Sequence, residues 1–433
     1  MHPIFRRDVL SLIIVQIFGL LTLVLFGTYF GILLTDLTES IKFSALILGL
    51  VFASRNIVQI FIRVPLSELS QTIGRKPLII AGTFCYTLSL GILYLATHWV
   101  HVFIATIIVG FGMSMHWPAV FSYIGDIAGE EYGRINGIIF QGQDVGILGG
   151  ALLASYLLNN NIVELGGLFA VSFSIGLFGV VLSILILPEI LDDENRIRVD
   201  SKLRAGWQSF VNTFSSLKTL SRRSTLGLIF LLELLITFTE FFFASFFPLL
   251  MVFSFEFADG DVAKLILYST LSTILFKQYF GKIFDKFGFK SPILIGLALC
   301  GVIFYAMTYT TNFWMLMILY TIALSAIFIC YIASTGATSN TVVPGERGLA
   351  MGVLGVYISS GRALSSVALA PVLAVFDRTT GSRADALIEL FRFVSYLILT
   401  GVLLTALYIR RQSNNKAFKE HNLSDYAILP QHD

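Results

Sequence analysis

Twelve apolar runs, each long enough to cross a hydrocarbon layer, constrain this chain more than any other feature. They fall at about 9–34, 44–67, 77–97, 101–124, 135–158, 164–187, 225–253, 262–283, 291–310, 313–337, 348–376 and 387–409. A helix needs roughly 20 residues to span a bilayer core of about 30 Å, and in lipid a helix satisfies its own backbone donors and acceptors. The expectation is an all-α integral membrane protein with twelve transmembrane helices. Charged residues make up 13% of the chain, against about 25% in a soluble domain. The net charge of +2 is distributed rather than clustered, which argues against a nucleic-acid partner. Cys85, Cys300 and Cys330 all lie inside apolar runs, so no disulfide framework, metal site or cofactor is implied.

The runs divide six and six around a polar interval. The expected organisation is an N-terminal bundle over 1–187, a linker over 188–224, a C-terminal bundle over 225–410 and a tail over 411–433. Within the linker, Leu203, Trp207, Phe210, Phe214 and Leu217 recur at helical spacing, predicting an amphipathic helix on the inner leaflet, with a regulatory docking site as the alternative. The tail after Arg411 is polar and expected to be disordered. The first run is too long for a signal peptide and is expected to be retained as a span. Lys and Arg concentrate in the N-terminus, the even-numbered loops and the tail, while the odd-numbered loops hold only Lys42, Lys264, Arg378, Arg383 and Arg392. The positive-inside rule then puts both termini and the linker in the cytoplasm of a cell whose plasma membrane the chain crosses.

Two polar stretches repeat one pattern. The first, from Arg63 to Pro77, contains Ser67-Glu68-Leu69-Ser70-Gln71-Thr72-Ile73-Gly74-Arg75-Lys76; the second reads Gly281-Lys282-Ile283-Phe284-Asp285-Lys286-Phe287-Gly288-Phe289-Lys290. Gly74 and Gly288 stand 288 − 74 = 214 residues apart, and Gly137 and Gly146 return as Gly352 and Gly361 at an offset of 215. Two independent matches at nearly one offset indicate a duplicated half.

The repeated stretch resembles the signature loop of the major facilitator superfamily, G-x-L-a-D-r-x-G-r-k, which joins the second helix to the third and the eighth to the ninth. Gly281, Asp285, Lys286, Gly288 and Lys290 fall on motif positions. The first copy carries Ser67 for the leading Gly and Gln71 for the Asp, leaving Glu68 as its nearest acid. The resemblance implies two pseudo-symmetric six-helix bundles that rock about a central site. It also implies a cytoplasmic latch in which Arg75 and Lys76 face Asp126 and Glu130 or Glu131. By the same resemblance, helices 2, 5, 8 and 11 face the partner half, and helices 1, 4, 7 and 10 line the cavity. Gly137, Gly146 and Gly150 resemble the first part of a helix 5 glycine motif found in family exporters, although Ala151 replaces its Pro and the closing Gly pair is absent.

Ionisable residues inside spans are the informative ones, because a charge at mid-bilayer costs at least about 2.5 to 3.5 kcal/mol unless it is paired or wet. Arg55, Asp144, Glu240 and Arg362 fall near the middle of spans 2, 5, 7 and 11, while Glu233, Lys277 and His116 fall nearer the cytoplasmic side. Arg55, Gln59 and Arg63 share one helical face. Arg55 and Arg362 are expected either to form an interdomain ion lock or to bind an anionic group. Asp144 is expected to neutralise one of them. Glu240, inside Phe238-Thr239-Glu240-Phe241-Phe242-Phe243 and isolated in sequence from basic partners, is the preferred candidate proton carrier. His116-Trp117-Pro118 is expected to break or bend the fourth helix beside a titratable ring. Tyr29, Trp117, Tyr320 and Tyr331 are expected to reach the cavity, and the Phe-rich run from Phe238 to Phe257 either lines a pocket or faces lipid and packing neighbours.

The expectation for function is a monomeric secondary transporter of a small organic solute working by alternating access. Protons are the expected coupling ion, with efflux of amphipathic compounds as the leading reading and uptake of an organic anion or sugar as the alternative. A non-transporting receptor on the same fold is the competitor from another class. No GxxxxGK[ST] sequence and no nucleophile, base and metal constellation is present, which disfavours an ATP-driven pump or an enzyme.

Overall fold

The computed structural model describes residues 6–38, 44–128, 132–190, 218–342 and 347–426. They form twelve long helices where the apolar runs predict them: α1 Arg7–Thr38, α2 Ser44–Ile73, α3 Arg75–Tyr94, α4 Trp99–Ala128, α5 Tyr132–Asn159, α6 Leu165–Ile186, α7 Ser224–Leu249, α8 Asp259–Phe287, α9 Lys290–Met307, α10 Phe313–Thr341, α11 Arg347–Thr380 and α12 Arg383–Tyr426. Eleven of them are, among the described residues, long and apolar enough to cross a membrane; α8 is the twelfth. Pro248 withdraws one backbone donor near the end of α7, and the chain continues as a π-helical turn, Leu250–Ser254. In α4, by contrast, Pro118 sits inside a helix that runs unbroken from Trp99 to Ala128, so the predicted break does not occur. The tail also differs from expectation, since α12 continues past Arg411 to Tyr426. Lys416, Ala417, Lys419 and Glu420 are good helix formers that extend a helix already nucleated in the span. The predicted linker amphipathic helix lies outside the described residues.

The two halves use the same pairings. In the first, α1 packs on α5 and α6, α3 on α4 and α6, and α2 on α4; in the second, α7 packs on α11, α9 on α10 and α12, and α8 on α10. Glycines make the duplication visible in atomic contacts. A side chain at Gly82 in α3 would collide with His116 Cβ and Gly112 O, and one at Gly296 in α9 would collide with Cys330 Sγ and Ala326 O, three equivalences at the same offset of 214. Gly146 admits the backbone of Ile17 from α1, and Gly361 admits Leu234 of α7. Small residues are what allow helix axes to approach this closely. Of the helix 5 motif, Gly146 and Gly150 face α1, but a Cβ on Gly137 would meet nothing within 4 Å among the described residues; Gly142 takes that place against Ile13. The reason is spacing: 142, 146 and 150 share one face, which 137 leaves.

Among the described residues the halves meet mainly through α2 with α11, α5 with α8, and α1 with α7. Phe238, Phe241, Phe242, Phe243, Phe246 and Phe247 of the Phe-rich run are buried. Phe242 packs on Phe391 at 4.7 Å between ring centroids, Phe243 on Phe304 and Tyr320 at 4.8 Å each, and Phe246 on Phe52 of the first half at 5.4 Å. The end of the molecule carrying the start of α1 and the end of α12 is called the terminal face below, and the other end the opposite face.

Candidate functional site

A cavity of about 240 Å³ lies between the halves, with walls from α1, α2, α5, α7, α8 and α10. Arg55 and Asp144 supply its charged groups, Thr28, Thr270 and Thr273 its hydroxyls, and Tyr320, Phe247 and Phe328 its rings. The Arg55 guanidinium sits 5.4 Å from the centroid of Phe30 and 4.7 Å from that of Phe241, where the ring faces attract a cation. Helix α2 brings it there because Arg55, Gln59 and Arg63 share the stripe that meets α11. Gln59 is satisfied locally, donating to Arg55 O at 3.3 Å, and the Arg63 guanidinium reaches within 3.4 Å of where a Cβ on Gly355 of α11 would stand.

Glu240 is not isolated from cations. Arg362 Nε donates to Glu240 Oε2 at 3.0 Å, and Nη2 donates to both carboxylate oxygens at 2.9 Å. The sequence separates these residues by 122 positions, but α7 and α11 are packing partners, which local sequence context cannot reveal. Of the two arginines that Asp144 is expected to neutralise, Arg362 thus has a counter-charge in Glu240. Asp144 instead shares the cavity wall with Arg55.

Glu233, two turns before Glu240, is a second acid of α7. It is fully buried, Ser334 Oγ of α10 hydrogen-bonds its Oε2, and Oε1 has no hydrogen-bond partner among the described residues. Ser334 Oγ also lies 3.4 Å from Tyr331 O, so its hydrogen has two acceptors. It can donate to a carboxylate, or turn to Tyr331 O and accept from a carboxylic acid.

His116 is fully buried as well. Its Nδ1 faces Ile79 O at 3.3 Å and Thr83 Oγ1 at 3.4 Å, and its Nε2 faces Gln16 Oε1 at 3.3 Å. Gln143 Nε2 donates to the same Gln16 oxygen at 3.4 Å, so α1, α3, α4 and α5 meet in one polar knot beside the cavity helices. Trp117 points elsewhere, stacking on Phe121 at 5.9 Å. Tyr320 lines the cavity, whereas Tyr29 donates its hydroxyl to Asp259 O at 3.1 Å on the opposite face. Lys277 lies among residues whose side chains are not described.

On the terminal face, Arg75 Nε donates to Asp126 at 3.1 Å. Lys76 does not pair with an acid among the described residues, its amine donating to Ile184 O at 2.8 Å; Glu130 and Glu131 lie outside the described residues. An acid that sequence reading missed completes the cluster. Glu189 receives the backbone N–H of Arg75 on Oε1 and that of Lys76 on Oε2, each at 3.1 Å, so it caps the exposed donors at the start of α3 and meets the positive end of the helix dipole. Its only signal was position, just after Pro188 at the end of the sixth run. Gly74 has φ +114° and leaves room for the Glu189 carboxylate, and Gly288, its repeat equivalent, has φ +67°. Both turns need a glycine. Lys286 and Lys290 are exposed and lie over Phe287 and Phe289 at 5.2 and 6.0 Å. The side chains of Glu68, Asp285 and the 275–285 segment that includes Gly281 are not described.

The opposite face is tied across the halves. Besides Tyr29 and Asp259, Arg383 donates to Ser44 Oγ at 2.5 Å and to Asp377 at 2.8 Å. Burial raises the carboxyl of Asp259 above its ordinary value.

A sequence model of the Major Facilitator Superfamily matches residues 17–366 and 229–422. An uncharacterised MFS-type transporter of Methanocaldococcus jannaschii is 24% identical over 339 residues, covering 76% of this chain and 83% of its own. Multidrug resistance protein 2 of Bacillus subtilis is 24% identical over 350 residues, covering 79% and 82%. The crystal structure of the nucleoside transporter NupG superposes with a TM-score of 0.72 at 15% identity, over 91% of this chain and 99% of that one. A POT family transporter crystallised with a thioalcohol-conjugated peptide gives 0.71 at 13% identity, over 94% and 96%. Those two likenesses concern the fold.

Proposed function

The chain belongs to the Major Facilitator Superfamily of transporters, and from that premise we propose that it moves a small amphipathic organic solute across the plasma membrane by alternating access, driven by protons. The observation that carries this reading is the cavity between the halves, whose walls come from six helices and combine a cation and an acid with aromatic and aliphatic side chains. Solute sites at the interface of repeats near mid-membrane are what rocking bundles expose to each side in turn. The terminal face is the cytoplasmic one, in keeping with the distribution of Lys and Arg. The cluster of Arg75, Asp126 and Glu189 and the segment from Gly281 to Lys290, where α8 ends and α9 begins, form the gate on that side.

Glu233 is the proton carrier of this proposal. Glu240 is engaged by three hydrogen bonds from Arg362, whereas Glu233 has a partner in Ser334 that serves either protonation state. Glu233→Gln fixes the uncharged state. In proteoliposomes it should spare solute counterflow without a gradient and lower proton-driven accumulation at least about tenfold, since each proton crossing 100 mV contributes about 2.3 kcal/mol. Accumulation with unaltered pH dependence would move the coupling role to His116 or Asp144. Ligand binding without any counterflow in the wild type would leave a receptor on a transporter fold.

A further inference from the structure

We propose that the solute of the central cavity is an organic anion, with its charged group docked on Arg55 and its apolar body on the walls formed by Val24, Ile147, Phe247, Ile266 and Phe328. The inference rests on the transporter reading and names the substrate class that reading leaves open.

Arg55 lines the cavity, yet its guanidinium forms no ion pair and no side-chain hydrogen bond among the described residues. Phe30 and Phe241 flank it, but ring faces offer no acceptor lone pairs for its five donors. The nearest carboxylate on the α7–α11 side is already engaged, with Glu240 bound by three hydrogen bonds to Arg362. Arg362 adds positive potential at Arg55, and Glu240 offsets it in part from the same pair. A planar guanidinium with open donors in a largely apolar chamber is complementary to a carboxylate, sulfonate or phosphate, which can accept two parallel hydrogen bonds. A partly buried guanidinium in an apolar chamber is stabilised by an anion that supplies its counter-charge.

A second cation extends the site. Arg63 lies on the same face of α2, two turns nearer the terminal face, and it too forms no ion pair among the described residues; its electrostatic neighbours are Tyr331, Arg362 and Tyr86. An anion leaving Arg55 toward the terminal face therefore meets a further guanidinium, so the stripe that sequence periodicity picks out becomes a track. Asp144 lines the same cavity and is engaged in a contact of its own. It orients the anion by repelling it from the α5 wall and rejects solutes carrying negative charge at both ends.

The test compares two probes with one ring system, 8-anilinonaphthalene-1-sulfonate and its uncharged parent N-phenyl-1-naphthylamine, by their effect on thermal unfolding of the full chain in nanodiscs. The sulfonate should raise the melting temperature of the wild type more than the parent does. Arg55→Gln should weaken the sulfonate effect about 10- to 100-fold in apparent affinity, the range of a charge-assisted hydrogen-bond pair, leave the parent unchanged, and recover partly in Arg55→Lys. Equal stabilisation by both probes in the wild type overturns the proposal, and this comparison needs no variant to fold. A sulfonate effect that survives Arg55→Gln overturns it as well. Counterflow separates the two readings. Arg55-dependent sulfonate binding without counterflow upholds the anion site and removes transport, whereas counterflow of uncharged solutes with no sulfonate binding upholds transport and removes the anion.

Discussion

Arg362 and Glu240 share three hydrogen bonds between α11 and α7, and the value of this contact lies in what happens when one partner is lost. Glu240→Gln leaves a guanidinium without its counter-charge. Breaking a fully buried pair costs about 3 to 5 kcal/mol; Glu240 keeps 34% of its side chain exposed, so the expected loss is on the order of 2 kcal/mol. A lower melting temperature in detergent, partly restored by adding Arg362→Met, would show it; additive losses in the double variant would mean that the two residues act separately. The four mid-span charges were legible as a set in the sequence, because each interrupts an apolar run. Their pairing was not. Glu240 looked isolated among phenylalanines because its partner is 122 positions away, and Glu233 drew less attention although one of its oxygens has no hydrogen-bond partner among the described residues. Side-chain partners across helices depend on rotation about each helix axis, which a run of apolar residues leaves unspecified on all its faces.

At the scale of elements, the start of α3 shows how one glycine and one distant acid define a boundary. Gly74 turns the chain with positive φ, and Glu189 then takes the two backbone donors that follow. Gly74→Ala is strained in φ and pushes against the carboxylate, so it should destabilise by about 1 to 3 kcal/mol and speed hydrogen exchange at the amides of Arg75 and Lys76. Exchange at wild-type rates would mean that Glu189 caps nothing in solution. The start of α8 carries a pH response. Burial raises the Asp259 carboxyl from its ordinary 3.8, which favours the protonated form while the opposite face is closed. Closure is therefore unopposed below the ordinary value and weakens as pH rises from there through the raised one. Accessibility of a cysteine introduced at Ser44 should increase over that window, and Asp259→Asn should flatten the response. The helices themselves were readable from apolar run lengths, and the two turning glycines from the repeat. The continuation of α12 to Tyr426 was not, since polar composition describes what a helix faces rather than whether it ends.

For the whole molecule, the two halves meet along α2–α11 and α5–α8, and the closeness of those seams sets which state is populated. A Cβ on Gly49 would fall 2.9 Å from Ser366 O and collide with Ala370. Gly49→Val should therefore disfavour the closed opposite face by about 1 to 3 kcal/mol, shifting the population several-fold or more toward the alternative arrangement and slowing net flux. Unchanged labelling at Ser44 would show that this contact does not govern the state. The same seam has a consequence during synthesis. Arg55 and Arg362 are separated by 362 − 55 = 307 residues, so a ribosome working at about 5 to 20 residues per second delivers α11 roughly 15 to 60 s after the stripe on α2. Throughout that interval α2 lacks α11 and is held to α4 by the Ser54–Thr106 hydroxyl contact of 2.6 Å and by Gly110, which admits the backbone of Arg55. A larger residue at Gly110 would then act before the protein is complete, lowering the amount that reaches the membrane more than the turnover of the molecules that do.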